Sequence, residues 1–328
     1  MKAPSNRLAA ACLAATLSGC LSAAPPSRAP AAPEPLAVHR AATPAIAPLV
    51  GRLSVDDVPD GGMRAGQHAL WRFQFLDGPG RSPLTRFSIH HDKPMHLVVV
   101  SRDLSRFAHL HPALVADGTF QIQVNAPSSD PDNADAATAV SHPGTYFLFS
   151  EVAPAGRSAT VTRFTVRTDG TEQPVPLTAD PRSPSGEIVT HTAPPGRPAA
   201  SYQVGLRLER AEHHPGMAMT HLVVTVRERD AEGRYQPVAS LEPWLGMTGH
   251  AVLVGQAGDR VEDRVFRHLH ASEGTSGGGH AHHVMQATGG RLTFMLMGED
   301  EPPAGLYRLW VQVKHRGQVL TAPFTLTL

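Results

Sequence analysis

Two histidine constellations stand about one domain apart in this chain. In the first, Met95-His96-Leu97-Val98-Val99-Val100 leads to Phe107-Ala108-His109-Leu110-His111, and in the second Gly249-His250-Ala251-Val252-Leu253-Val254 leads to Phe266-Arg267-His268-Leu269-His270. Residues two apart in a strand point to one face, so His109 and His111 project together, as do His268 and His270. If each pair of segments forms a hairpin, pairing Val100 with Phe107 sets His96 opposite His111 and Val98 opposite His109. Directly opposed Cβ atoms lie about 4.5 to 5.5 Å apart, which brings three imidazoles within reach of one ion. Pairing Val254 with Phe266 repeats the arrangement and sets His250 opposite His270. The chemistry expected is metal binding, at a site built once in each half.

Three imidazoles with room for a fourth ligand suit Zn2+ or copper. Thioether sulfur selects Cu(I), and Met95 flanks His96, Met247 precedes His250 by three residues, and His213-His214-Pro215-Gly216-Met217-Ala218-Met219 lies upstream. The candidate ligands are therefore His96, His109, His111 and Met95 in the first half and His250, His268, His270 and Met247 in the second, with copper favoured over zinc. Met95 and His96 point to opposite faces of a regular strand, which makes the core a rival place for Met95. The same imidazoles, bonded to backbone carbonyls, would instead lock each hairpin as a structural network. Gly277-Gly278-Gly279-His280-Ala281-His282-His283 suits loose collection of ions rather than a preformed site. His90 and His91 are candidate peripheral ligands, and His39, His68, His191 and His315 read as surface residues. A site made of imidazoles is expected to release metal as pH falls toward about 5 to 6.

The elements that must position these residues begin after an export signal. Lys2 and Arg7 precede an apolar run from Leu8 to Leu17, followed by Leu17-Ser18-Gly19-Cys20. That tetrapeptide resembles the bacterial lipobox, which implies cleavage before Cys20 and lipidation of its sulfur. The apolar run is far shorter than the ~20 residues a membrane-spanning helix needs. Cys12 falls in the discarded peptide and Cys20 carries lipid, so no thiol remains for a disulfide, a metal or a blue-copper centre. With 29 basic and 29 acidic residues the formal charge is balanced, and no basic stripe suggests nucleic acid. The 19 histidines are the unusual feature, and they gather around the repeated motifs.

Residues 1–19 are thus expected to be signal peptide and 20–48, rich in Ala and Pro, a disordered tether. Residues 49–168 and 198–328 would be two domains joined by a Pro-, Gly- and Thr-rich linker over 169–197. Short apolar or alternating runs bounded by turn residues predict strands at 69–75, 96–100, 119–124, 145–152 and 159–166, then at 202–209, 221–226, 250–254, 265–270, 291–297, 306–314 and 318–326. The expected fold is all-β: two tandem antiparallel β-sandwiches of immunoglobulin or cupredoxin type, with little helix.

At these residues the chain resembles a known family. His91-Asp92-Lys93-Pro94-Met95-His96-Leu97-Val98-Val99-Val100-Ser101-Arg102-Asp103-Leu104, then Phe107-Ala108-His109-Leu110-His111-Pro112, is similar to bacterial exported heavy-metal-associated proteins with a cupredoxin-like or YtkA-like β-sandwich. Leu241-Glu242-Pro243-Trp244-Leu245-Gly246-Met247-Thr248-Gly249-His250 is similar to a second motif of the same proteins. The resemblance covers most of both halves and implies exported, metal-associated domains. Where the first motif ends in Pro112 the second has Ala271, and the loop Gly255 to Arg264 is longer than usual.

The function expected is a lipoprotein anchored by its lipid, facing the periplasm, that binds copper as a chaperone, buffer or resistance component. Leu21 after Cys20 lacks the Asp that commonly holds lipoproteins at the inner membrane, so the outer membrane is favoured. An enzyme is not expected: no carboxylate is close in sequence to the His-x-His pairs, Glu273 being the nearest, and no His-Glu-x-x-His or nucleophile motif occurs. The alternative is a structural or interaction lipoprotein whose tandem sandwiches meet another envelope protein and whose histidines bind no metal.

Overall fold

The computed structural model describes residues 49–56, 63–78, 81–194, 197–198, 200–214, 217–271, 289–297 and 301–328, with the side chains of 211–218 excepted. The expected signal peptide, Cys20, the tether, His39 and the Gly277 to His283 stretch lie outside the described residues, as do the side chains of His213, His214 and Met217. No helix among the described residues is long and apolar enough to cross a membrane.

The first half contributes β1 (Leu49–Asp56), β2 (Ala69–Asp77), β3 (Phe87–Ser88), β4 (Met95–Ser101), β5 (Phe107–Leu110), β6 (Ala113–Leu114), β7 (Phe120–Val124), β8 (Gly144–Pro154) and β9 (Thr160–Thr168). The second contributes β10 (Ile188–Thr192), β11 (Tyr202–His214), β12 (Met217–Arg229), β13 (Tyr235–Pro237), β14 (Gly249–Gly255), β15 (Phe266–His270), β16 (Arg291–Met297), β17 (Leu306–His315) and β18 (Gln318–Thr327). Each half is a pair of antiparallel sheets. In the first, β1-β2-β7-β6 faces β3-β8-β4-β5, which β9 extends on β8; in the second, β10-β11-β12-β13, with β16 on β12, faces β15-β14-β17-β18. The fold is thus all-β, two β-sandwiches in tandem.

The sequence pattern of the strands explains how the sandwiches stack. Along β2, buried Ala69, Trp71, Phe73 and Phe75 alternate with half-covered residues, the mark of a strand with one face on a core. Along β4 and β14 every residue is buried, which requires cover on both faces. On one face Met95, Leu97 and Val99 enter the first sandwich's core with Trp71, Phe73 and Phe120. On the other face Val98, Val100, Phe147 and Phe149 pack with Val252, Val254, Phe266 and Trp310 of the second half, making a third core between the sandwiches. That middle layer is nearly symmetric. Phe149 stacks on Phe266 at 4.3 Å between ring centroids, and Phe107 stacks on Trp310 at 4.7 Å. The described residues accordingly form one compact unit.

The segment 169–197, expected as a bare linker, is built into the fold. It supplies β10, which pairs with β11, and Leu177 packs against the middle core. The Val175 N–H donates to Asp103 Oδ2 at 2.7 Å, and the Thr325 N–H donates to Asp180 Oδ2 at 2.7 Å. Strand β1 was absent from the sequence expectation because its alternation is interrupted at Gly51. A Cβ there would lie 2.5 Å from Phe164, so glycine is what lets the aromatic ring approach the strand. Helical structure among the described residues is confined to short 3-10 segments at Pro131–Thr138 and Val261–Asp263.

Candidate metal centre

The hairpin registers match those expected from the spacing. Val98 faces His109 and Val100 faces Phe107 across β4 and β5, and His111 follows directly after the last strand pair. Across β14 and β15, His250 faces His270, Val252 faces His268 and Val254 faces Phe266. All six imidazoles project from the strand faces that carry Val98, Val100, Val252 and Val254, so they continue the middle core rather than facing solvent.

The two triads open onto a single chamber between the halves: of the two sites expected, His250, His268 and His270 form a close set within the second half, whereas in the first His268 takes the place of His111 beside His96 and His109. Within the first half the ring centroids of His96, His109 and His111 stand 5.4, 5.0 and 4.7 Å apart. Within the second, those of His250, His268 and His270 stand 5.5, 5.0 and 4.6 Å apart, the same triangle. Across the halves His109 is 5.0 Å and His96 5.2 Å from His268. Two sets of three ligand nitrogens lie within 4.8 Å of one another among the described residues: His96, His109 and His268, which straddle the halves, and His250, His268 and His270. His268 belongs to both.

The outer nitrogens of these rings are held by protein oxygens. His96 Nε2 lies 2.9 Å from the His90 carbonyl, His109 Nδ1 2.8 Å from Gln312 Oε1, His111 Nδ1 3.0 Å from the Asp132 carbonyl, and His268 Nδ1 2.9 Å from Glu151 Oε2. An oxygen acceptor fixes the N–H on the nitrogen it faces and leaves the other nitrogen as a lone pair. His96 Nδ1 and His109 Nε2 then meet at 3.2 Å as two lone pairs, an arrangement that a shared cation would relieve. His111 Nε2, His268 Nε2, His270 Nε2 and both nitrogens of His250 are buried with no hydrogen-bond partner among the described residues. A purely structural network would pair them.

Burial is the main reason that every one of these rings is held neutral. Desolvation, followed by the neighbouring imidazoles, pushes His96 and His109 down to about 3. The same causes hold His111, His250, His268 and His270 well below the ordinary histidine value. Neutral imidazole is the form that ligates a metal.

Two residues that the sequence reading missed orient the rings, and they are symmetric partners. Glu151 on β8 lies directly opposite His96, and Gln312 on β17 lies directly opposite His250. Each holds the first histidine of the other half's His-x-His pair. The signal available was a polar residue inside an apolar strand, Glu151 beside Ser150 in Phe149-Ser150-Glu151-Val152 and Gln312 alone in Val311-Gln312-Val313. The 3-10 segment adds a clamp on the first pair: Asn133 Oδ1 accepts the His111 N–H at 2.6 Å, and Asp135 Oδ2 accepts the His109 N–H at 3.2 Å.

Methionine does not join the chamber on the first side. Met95 is buried in the first sandwich's core on the face opposite His96, which removes it from the candidate ligands. Met247 closes a tight turn with Trp244, the two residues exchanging backbone hydrogen bonds of 2.8 and 3.1 Å. His315 is not a surface residue: its Nδ1 bonds the Ser240 carbonyl at 3.1 Å and its side chain is 11% exposed.

Fold and site together define a tandem β-sandwich protein with a buried histidine chamber between its halves. The chain belongs to a family described as Domain of unknown function (DUF8832), which matches residues 53–170 and 199–328. No curated protein matches it. Among solved structures, a segment of two fibronectin type III domains from chicken tenascin is similar at 9% identity and a TM-score of 0.20, over 84% of this chain and 97% of that one. S. aureus TarS is similar at 9% identity and a TM-score of 0.18, over 83% of this chain and 40% of that one.

Proposed function

We propose that this chain is an exported, lipid-anchored protein that binds copper in the chamber between its two sandwiches and serves as a carrier or buffer for that metal in the cell envelope. The observation that carries the reading is His250. Its side chain is fully buried, neither ring nitrogen has a hydrogen-bond partner among the described residues, and the imidazoles of His91, His96, His109, His268 and His270 surround it. An unpaired buried polar group costs about 1 to 3 kcal/mol, and a metal ion among converging lone pairs removes that cost. Imidazole donors with outer nitrogens fixed by carbonyl, amide and carboxylate oxygen suit copper or zinc. Copper is preferred because a set of neutral ligands with no thiolate favours the monovalent ion over a dication, whose charge it would leave largely uncompensated. Export and lipidation rest on Cys20 and the preceding apolar run alone.

Elemental analysis and calorimetric titration of residues 29–328 with Cu(I), Cu(II) and Zn2+ test the reading, beside His250→Ala and a variant with His96, His109, His111, His250, His268 and His270 all changed to Ala. Stoichiometric copper, weakened in the single variant and lost in the sixfold one, is the expected result. Absence of binding in the parent would leave the interaction lipoprotein as the better description. Tighter binding of Zn2+ than of Cu(I) would overturn the choice of metal.

A further inference from the structure

The two halves build the same tight turn before their first histidine. His90 and Lys93 exchange backbone hydrogen bonds of 2.9 and 3.2 Å, as Trp244 and Met247 do. The two central residues have positive φ in both, 48° and 61° at His91 and Asp92 against 51° and 69° at Leu245 and Gly246. These are the backbone angles of a type I′ turn, for which glycine or asparagine is the usual choice. The turns meet one another: a Cβ on Gly246 would lie 3.4 Å from Asp92 Oδ2.

Turns of the same φ pattern and hydrogen bonding carry opposite chemistry. The second turn seals its side of the chamber with Trp244 and Leu245, both buried, the indole N–H donating to Asp132 Oδ1 at 2.9 Å. The first turn presents two half-buried imidazoles at the same positions. The His91 ring lies 3.7 Å from that of His270, and the His90 ring is 4.0 Å from His91 and 6.1 Å from His270. His91 also stands 6.2 Å from His250 and 6.3 Å from His96. His90 Nδ1 is buried and has no hydrogen-bond partner among the described residues. Neither residue belongs to the two close sets of ligand nitrogens.

Burial deepens from this turn inward. His270 retains some exposure, whereas the side chains of His268, His96, His109 and His250 have almost none. His268 is shared by both sets, yet its Nδ1 is held by Glu151, so only Nε2 is free to bind. An ion bound through that nitrogen can occupy one set at a time.

Resting on the metal-binding reading above, we infer that His90 and His91 are the port through which a cuprous ion enters and leaves the chamber. The ion passes by ligand exchange from these two rings to the outer set, His250, His268 and His270, and then, with His268 as the common ligand, to the inner set, His96, His109 and His268. No bond to carbon, proton or electron changes hands. Each step replaces one imidazole lone pair on Cu(I) by another, so the ion is never without donors in an otherwise apolar layer.

The test measures rates against affinity. Purified full chain takes Cu(I) from a coloured Cu(I)–bicinchoninate complex and returns it to excess chelator, both followed by absorbance. His90→Gln, His91→Asn and the double variant are compared with the parent and with His68→Ala, an exposed control; asparagine is chosen because it tolerates positive φ. The port predicts an unchanged equilibrium constant, with uptake and release both slowed by about tenfold, equivalent to about 1.4 kcal/mol of barrier. Unchanged rates in the double variant would overturn it. So would weaker affinity arising from faster release alone, which would make the two residues ordinary ligands. A parent that takes up no Cu(I) removes the metal reading and the port with it, whereas normal binding with unaltered rates removes the port alone. Thermal unfolding of each variant separates a folding defect from a change in route, and His91→Gly keeps the turn if His91→Asn disturbs it.

Discussion

A neutral imidazole inside an apolar layer responds to acid through the unfolded chain. His96 and His109 titrate at about 3 in the folded protein, against 6.5 for the ordinary side chain. Between those values the unfolded state binds protons that the folded state refuses, so stability rises with pH across the window and is lost as pH falls below about 6.5. Metal-free protein should therefore lose about 1.4 kcal/mol per pH unit for each imidazole protonated only in the unfolded chain. Urea unfolding at a series of pH values from 7 to 4 checks this, with His96→Leu and His109→Leu expected to flatten the profile. A profile as flat in the parent as in the variants would show that the rings are not held neutral. The oxygens behind the rings carry a second prediction. Glu151→Gln keeps an acceptor for His268 Nδ1 but removes the only carboxylate that bonds a chamber ring through its side chain among the described residues. Copper affinity should fall by about 10- to 100-fold in the range typical of such partners, with little change in metal-free stability. Calorimetry on the variant would reject the role if affinity stayed level.

At the scale of the strand, β4 divides its residues between two cores, and the division decides which are ligands. Met95→Leu should leave metal stoichiometry and affinity as they are and cost less than about 1.5 kcal/mol, since it is a volume-conserving change inside the first sandwich. Loss of copper in that variant would return Met95 to the ligand set. The hairpins that carry the histidines were legible in the sequence because a period of two fixes register: once Val100 pairs with Phe107 and Val254 with Phe266, the opposed histidines follow. What the sequence withheld was the second face. The run Leu97-Val98-Val99-Val100 reads as a buried strand in any sandwich, and nothing local says that Val98 faces another domain while Val99 faces its own. Glu151 and Gln312 were missed for the same reason, since each acts on a ring more than 100 residues away. Strand β10 was hidden in a stretch whose Pro and Gly content reads as linker.

For the whole molecule, the two halves relate to one another much as the subunits of a symmetric dimer do. The Phe149–Phe266 and Phe107–Trp310 stacks are equivalent across the pseudo-twofold, as are the Glu151–His268 and Gln312–His109 contacts. The chamber exists only while the sandwiches are docked, because the inner ligand set draws His96 and His109 from one half and His268 from the other. Metal binding and docking are then linked: an ion that binds only the docked state stabilises docking by an amount that grows with its concentration. Phe149→Ala removes a fully buried ring from the middle core, with an expected cost of about 3 to 5 kcal/mol, while leaving every histidine in place. The variant should bind copper more weakly than the parent. Hydrogen exchange should then show outer-sheet amides of β2 and of β12 opening independently, where in the parent they open together, and added copper should restore joint opening. If the variant keeps parental copper affinity while its halves open separately, the straddling set is not the seat of the metal, and His250, His268 and His270 alone must hold it.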